Sequence, residues 1–214
     1  SAVFTNRVGA TFDVRFDGSV SYNVSPVGVF NNQGSLVKSA GSGATSFDAA
    51  LNNSGSVTVN SGTLKLSGGG ANNGSMLLQG SSQLEFNSDY SLNAGSTLSG
   101  GTVRFSSGTV LVNGRYEVSG ATLVTGGTVT FGSNANVVNW GSRVEIGSAT
   151  VNLNLGKAVI LPNLLFTGNS LSSSDSITVT GVMTWSGGTL SGSGATVPLG
   201  GLVLNTSGTK LLDG

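Results

Sequence analysis

Apolar residues in this chain come in short alternating runs, separated by glycine-rich polar stretches. One series runs Thr63-Leu64-Lys65-Leu66, Gln83-Leu84-Glu85-Phe86 and Thr102-Val103-Arg104-Phe105. It continues through Thr122-Leu123-Val124-Thr125 and Arg143-Val144-Glu145-Ile146. Alternation marks a half-buried strand, because successive side chains point to opposite faces. It predicts one inner column of Leu64, Leu84, Val103, Leu123 and Val144, and a second of Leu66, Phe86, Phe105, Thr125 and Ile146. A further series pairs Tyr90 with Leu92, Val110 with Val112, Val129 with Phe131 and Val151 with Leu153. No helical apolar period persists beyond one turn, so no helix of any length is predicted.

Asparagine keeps the same beat. Asn32, Asn53, Asn73, Asn93, Asn113 and Asn134 are separated by 21, 20, 20, 20 and 21 residues. Self-similarity at a period of about 20 residues predicts a solenoid, in which each coil buries its apolar face against the next. The expected fold is all-β, a parallel β-helix (β-solenoid) with about 20 residues and three short strands per coil. Strands in neighbouring coils lie ~4.8 Å apart, so the six asparagines are expected to form a hydrogen-bonded ladder along one axis. Phe86 and Phe105 are expected to stack inside on adjacent coils.

The whole chain, 1–214, reads as a single solenoid. Residues 1–29 form a longer first coil with a loop, and 30–155 the regular coils. Residues 156–170 interrupt the pattern around Pro162, which cannot donate to a strand ladder, and 171–214 form a second block. Val3-Phe4-Thr5-Asn6 matches Val29-Phe30-Asn31-Asn32 and Ala50-Leu51-Asn52-Asn53, so Asn6 is expected to join the asparagine column.

Charge narrows the function classes. Nine basic and nine acidic residues leave no net charge, and nothing suggests the basic face that nucleic acid would need. No apolar run approaches the ~20 residues of a membrane span. With no histidine and no cysteine, Ser–His–Asp triads, Cys–His dyads, disulfides and the usual structural zinc ligands are excluded. The lack of thiols is compatible with export. The glycine-rich stretches lack phosphate-loop spacing and read as solenoid corners.

No catalytic, cofactor-binding or metal-ligating residue is assigned. The remaining route to catalysis is a carboxylate pair of the glycosidase kind, Asp13 with Asp17 or Glu85 with Asp89. No cluster of aromatics or arginines accompanies either pair, so all four read as solvated surface groups. Trp140 and Trp185 read as core fillers rather than sugar platforms. Lys65, Glu85 and Arg104 alternate in sign along an outer column that continues to Val124 and Glu145. They are expected to form a surface charge ladder that favours register. The pairs Thr128-Val129-Thr130 and Thr178-Val179-Thr180 have the form used in flat ice-binding arrays, but no regular column of them is legible.

The stretches Phe30-Asn31-Asn32-Gln33-Gly34-Ser35-Leu36-Val37-Lys38-Ser39 and Asn60-Ser61-Gly62-Thr63-Leu64-Lys65-Leu66-Ser67-Gly68-Gly69-Gly70 resemble repeats of very large secreted bacterial β-helix surface proteins. So does Thr184-Trp185-Ser186-Gly187-Gly188-Thr189-Leu190. The nearest familiar groups are the filamentous-haemagglutinin-like and autotransporter-passenger-like proteins. The resemblance is one of repeat style over nearly the whole chain, and it carries no catalytic residues. It implies a right-handed β-helix at an extracellular or bacterial cell-surface location.

The expected function is a structural or adhesive solenoid segment, a stiff rod or fibre-forming unit rather than an enzyme and without a cofactor. The alternative is a polysaccharide-binding or polysaccharide-cleaving β-helix. No amphipathic helix is legible at either end to cap the core. The expected partners are therefore a second copy stacked head to tail, or flanking repeats of a longer chain, with surface glycans as a further candidate.

Overall fold

The computed structural model describes residues 2–22 and 25–214, and among these there is strand but no helix. The chain winds as a parallel β-solenoid of about ten turns, roughly 20 residues per coil. Each coil lays strands on three faces. The first face is an unbroken 11-stranded parallel sheet in chain order, from Val3–Asn6 through Val29–Asn32 and Ala50–Asn53 to Lys210–Asp213. The second face begins at Thr11–Val14 and the third at Gly18–Val20. In two coils the second and third faces are joined in one long bent strand, Ser75–Asn87 and Thr97–Ser107.

Alternation sets these strands and fills the interior. In Ser56–Val59 and Thr63–Leu66, Val57, Val59, Leu64 and Leu66 point inward and are buried. Leu64 pairs with Leu84 and Leu84 with Val103, as the pattern predicts. Phe86 lies over Phe105 with ring centroids 5.2 Å apart and planes 12° off parallel. On the first face, Tyr90, Val110, Val129 and Val151 follow one another in register.

One coil departs from the predicted columns. Val103 is paired with Thr122, and Phe105 with Val124, so Leu123 faces outward and Thr125 lies beyond the strand. A coil one residue shorter than the mean slips the alternation by one, and a slip by one exchanges inside for outside. Thr122 is tolerated in the core because it is fully hydrogen-bonded. Its Oγ1 lies 2.9 Å from the Tyr116 hydroxyl and donates to the Trp140 carbonyl at 2.8 Å.

The irregularity around Pro162 is confined to the second face. There the ladder from Thr11–Val14 stops at Asn136–Trp140, and Val159–Leu161 starts a separate three-stranded sheet. The first and third faces continue through this level. Asn169–Ser173 pairs with Ala149–Leu153, and Leu164–Phe166 with Val144–Ile146. In the connection between Leu153 and Val159, Leu155 turns inward and Gly156 takes a left-handed φ of 69°.

Candidate functional site

The corner between the first and second faces carries the most regular polar chemistry. Asn6 Nδ2 donates to Asn32 Oδ1 at 2.8 Å, Asn32 to Asn53 at 2.7 Å, and Asn53 to Asn72 at 2.7 Å. All four are buried. Their amides also reach backbone carbonyls, as Asn32 Nδ2 does to Ser56 at 2.8 Å. The corner needs glycine at the next turn, since a Cβ on Gly55 would strike the carbonyl oxygen of Gly34.

This ladder differs from the expected column in a defined way. Asn32 and Asn53 belong to it, but the next member is Asn72, not Asn73. The column then turns apolar at Leu92 and Val112. Asn73, Asn93 and Asn113 sit one position further along, outside the core, and Asn93 Nδ2 donates to Asn73 Oδ1 at 2.9 Å. Asn134 lies in an exposed turn and joins neither column. The cause is the doublets Asn52-Asn53 and Asn72-Asn73, in which strand alternation can bury only one member of each pair.

The outer column of the third face holds the charges. Lys65, Glu85 and Arg104 are in register, and Leu123 rather than Val124 follows. Lys65 Nζ lies 3.3 Å from Glu85 Oε1. The same oxygen accepts a hydrogen bond from Ser106 Oγ at 2.8 Å. Arg104 turns the other way and donates to Thr125 Oγ1 at 3.2 Å. Thus one ion pair of the expected ladder forms, and exposed pairs of this kind contribute about 0–1 kcal/mol.

The candidate carboxylates are held by local partners. Ser39 and then Arg15 hold the Asp13 carboxyl below its ordinary range by hydrogen bonding. Lys38, with the Gly43 N–H, does the same for Asp17. A glycosidase pair needs one carboxyl kept protonated, and both shifts run the opposite way. Glu85 is engaged by Lys65, and Asp89 Oδ1 accepts the Thr109 N–H at 2.7 Å. Trp140 and Trp185 both point inward. Trp140 packs against Phe131 at 4.7 Å, and Trp185 stacks on Phe166 at 6.2 Å and donates to the Gly187 carbonyl.

Lys38 was not singled out by its sequence, yet it is the one charged side chain fully inside among the described residues. Its ammonium donates at 3.0 Å to Asp17 Oδ1, the Ala40 carbonyl and Thr45 Oγ1, and reaches the Phe16 carbonyl at 3.4 Å. A buried charge is stable only when paired and hydrogen-bonded, and these contacts bind the first coil to the second. The signal was present. Lys38 shares the parity of Leu36 in Ser35–Lys38, where the burial pattern alternates. The phenols of Tyr90 and Tyr116 are likewise interior, and burial pushes both above their ordinary range.

Beneath the strand Gly188–Ser191 lies a cavity of about 450 Å³ with a largely apolar wall that includes Ile177, Met183, Trp185, Leu190 and Leu212. It is the open end of the coil interior rather than a groove across a face. Among the described residues, no three histidine, cysteine or carboxylate side chains are grouped to hold a metal ion. Compared with protein-family models, with curated proteins and with solved structures, the chain matches none.

Proposed function

We propose that this chain is a structural segment of an extracellular or cell-surface β-solenoid, acting as a stiff rod that extends by coil-on-coil stacking. The observation that carries this reading is the first face: eleven parallel strands in unbroken chain order over one continuous core. Ten steps of ~4.8 Å make a rod roughly 48 Å long, stiffened along its axis by every ladder hydrogen bond. The buried polar side chains serve the same end. The asparagine ladder and the Lys38 cluster tie coil to coil.

The edges support stacking. At one end Phe4 is 52% exposed, and at the other Leu212 is 75% exposed, each beside a strand with one unpaired side. The two edges belong to the same face and run in the same direction, so the edge of one copy is complementary to the opposite edge of the next. Such a contact is heterologous and does not close, so it propagates into a fibre.

The test is light scattering and electron microscopy of the 214-residue chain across a concentration series, beside the variant Phe4→Pro. The expected result is concentration-dependent end-to-end growth that the proline blocks. A monodisperse monomer at high concentration overturns stacking between copies. Antibody staining of unpermeabilised source cells tests the location, and staining that appears only after permeabilisation overturns it.

A further inference from the structure

We infer that the first face, from the coil of Thr128–Phe131 to that of Gly188–Ser191, is an adsorption surface for crystalline water. No regular threonine column is legible in the sequence, but the structure aligns threonine with serine and asparagine in two mixed columns. Thr128, Thr150, Ser170 and Thr189 follow one another in register on the outside of this face. Two residues along each strand, Thr130, Asn152, Ser172 and Ser191 form a second outer column. Thr109 adds a further member to the first column. Thr178, by contrast, sits on the second face between Ile160 and Val197, where it belongs to no such array.

The result is a two-dimensional lattice of short polar groups. Its spacing is ~4.8 Å along the axis and roughly 6.7 Å across, from the strand separation and two residues of rise. Oxygen positions on prism planes of hexagonal ice repeat at distances of the same order, so a small adjustment of the outer side chains lets water on one row join water on the next. The strand pairings in this stretch run without a register shift, so the rows keep their spacing. Thr128, Thr130, Thr150 and Thr189 are stiff at χ1, which holds methyl and hydroxyl in fixed places at these four of the eight positions.

Three independent observations point to water rather than to a polymer or a protein. First, most of the hydroxyls are free to bind outward. Asn152 donates to Thr130 Oγ1 at 3.2 Å and Asn169 to Thr150 Oγ1 at 3.4 Å, whereas Thr128, Ser170, Ser172, Thr189 and Ser191 make no side-chain hydrogen bond among the described residues. Second, the eight lattice positions carry no charge; the array ends at the next strand, where Ser191 pairs with Asp213, while at the same level the third face presents Arg143 and Glu145. A charged group orients water about itself and breaks a lattice. Third, the lattice offers no aromatic ring on which a sugar could stack, because Phe131 and Trp185 point inward.

The experiment freezes a dilute solution of the whole chain slowly onto a seeded ice surface and measures the fraction incorporated, with thermal hysteresis as a second readout. Thr150→Lys and Asn152→Lys each place a charge in the lattice at a half-exposed site. Thr184→Lys does so on the third face as a control. Circular dichroism melting checks that each variant folds. The expected result is enrichment of the wild type and of Thr184→Lys in ice, with a fall of about tenfold for either lattice variant that folds. Exclusion of the wild type from ice overturns the proposal. So does incorporation of both lattice variants at the wild-type level, or retention of the wild type on insoluble cellulose or chitin without enrichment in ice. Because ice is scored on the dispersed chain, the result is independent of whether copies stack end to end.

Discussion

Replacing Asn53 by leucine tests whether the buried asparagine ladder acts as a connected series. Asn53 sits between Asn32 and Asn72, with side-chain hydrogen bonds of 2.7 Å on both sides. Leucine has nearly the same shape, so the change removes polar contacts with little change in volume. It strands one N–H of Asn32 and takes a donor from Asn72 Oδ1, which keeps only the Gly74 N–H at 3.2 Å. The carbonyls of Gly55 and Ser75 also lose a donor. A buried group left unpaired costs about 1–3 kcal/mol, and the added apolar burial returns part of it, so the net cost is about 2–4 kcal/mol. Asn72→Leu is the partner comparison. It strands the donor of Asn53 and the Gly74 N–H and takes a donor from the Gly74 and Thr97 carbonyls, while its neighbour on the far side is already Leu92. It should also cost about 2–4 kcal/mol. The double variant should cost less than the two singles together, with a coupling of at least ~0.5 kcal/mol, because the second change removes the partner that the first left unpaired. Urea unfolding followed by circular dichroism measures all three. Strict additivity would refute the ladder as a connected unit.

Phe105→Ala removes a fully buried ring that stacks on Phe86, and should cost ~3–5 kcal/mol in reversible unfolding; a change within error of zero would show the stack carries no stability. The first coil should be acid-sensitive. Asp13 and Asp17 both have folded pKa values lowered from 3.8, so the stability they contribute is complete above that value and is lost as pH falls through their folded values. Hydrogen exchange at stepped pH should therefore show residues 11–20 opening before the coil of Thr97–Ser107, and simultaneous opening would contradict this.

Much of the fold was legible because alternation and burial are the same fact in a strand. Leu64, Leu84, Val103 and Phe105 declare their faces through charged or polar neighbours at every second position. The details that were missed share one physical cause. Coil length varies, and register is fixed by three-dimensional pairing rather than by a constant count. Thr109, Thr128, Thr150, Ser170 and Thr189 fall in one column at intervals of 19, 22, 20 and 19, which hides the column from any fixed period. The even spacing of Asn53 and Asn73 is the converse error, a regular count across a coil that is one residue shorter in space. Lys38 was missed for a different reason. A lysine is ordinarily exposed, and only the fold brings Asp17, Thr45 and two carbonyls around its ammonium.

The gap in the second face between Asn136–Trp140 and Val159–Leu161 has a mechanical meaning for a rod. At that level two walls are laced by ladder hydrogen bonds and the third is not. Bending that spreads the second face breaks no strand pairing there, whereas bending that spreads the first or third face must part Ala149–Leu153 from Asn169–Ser173 or Val144–Ile146 from Leu164–Phe166. The cylinder is therefore compliant in one plane and stiff in the others, like a straw slit on one side. In the stacked rod proposed above, a pull on the far end is first taken up by flexure at this joint before any coil unravels.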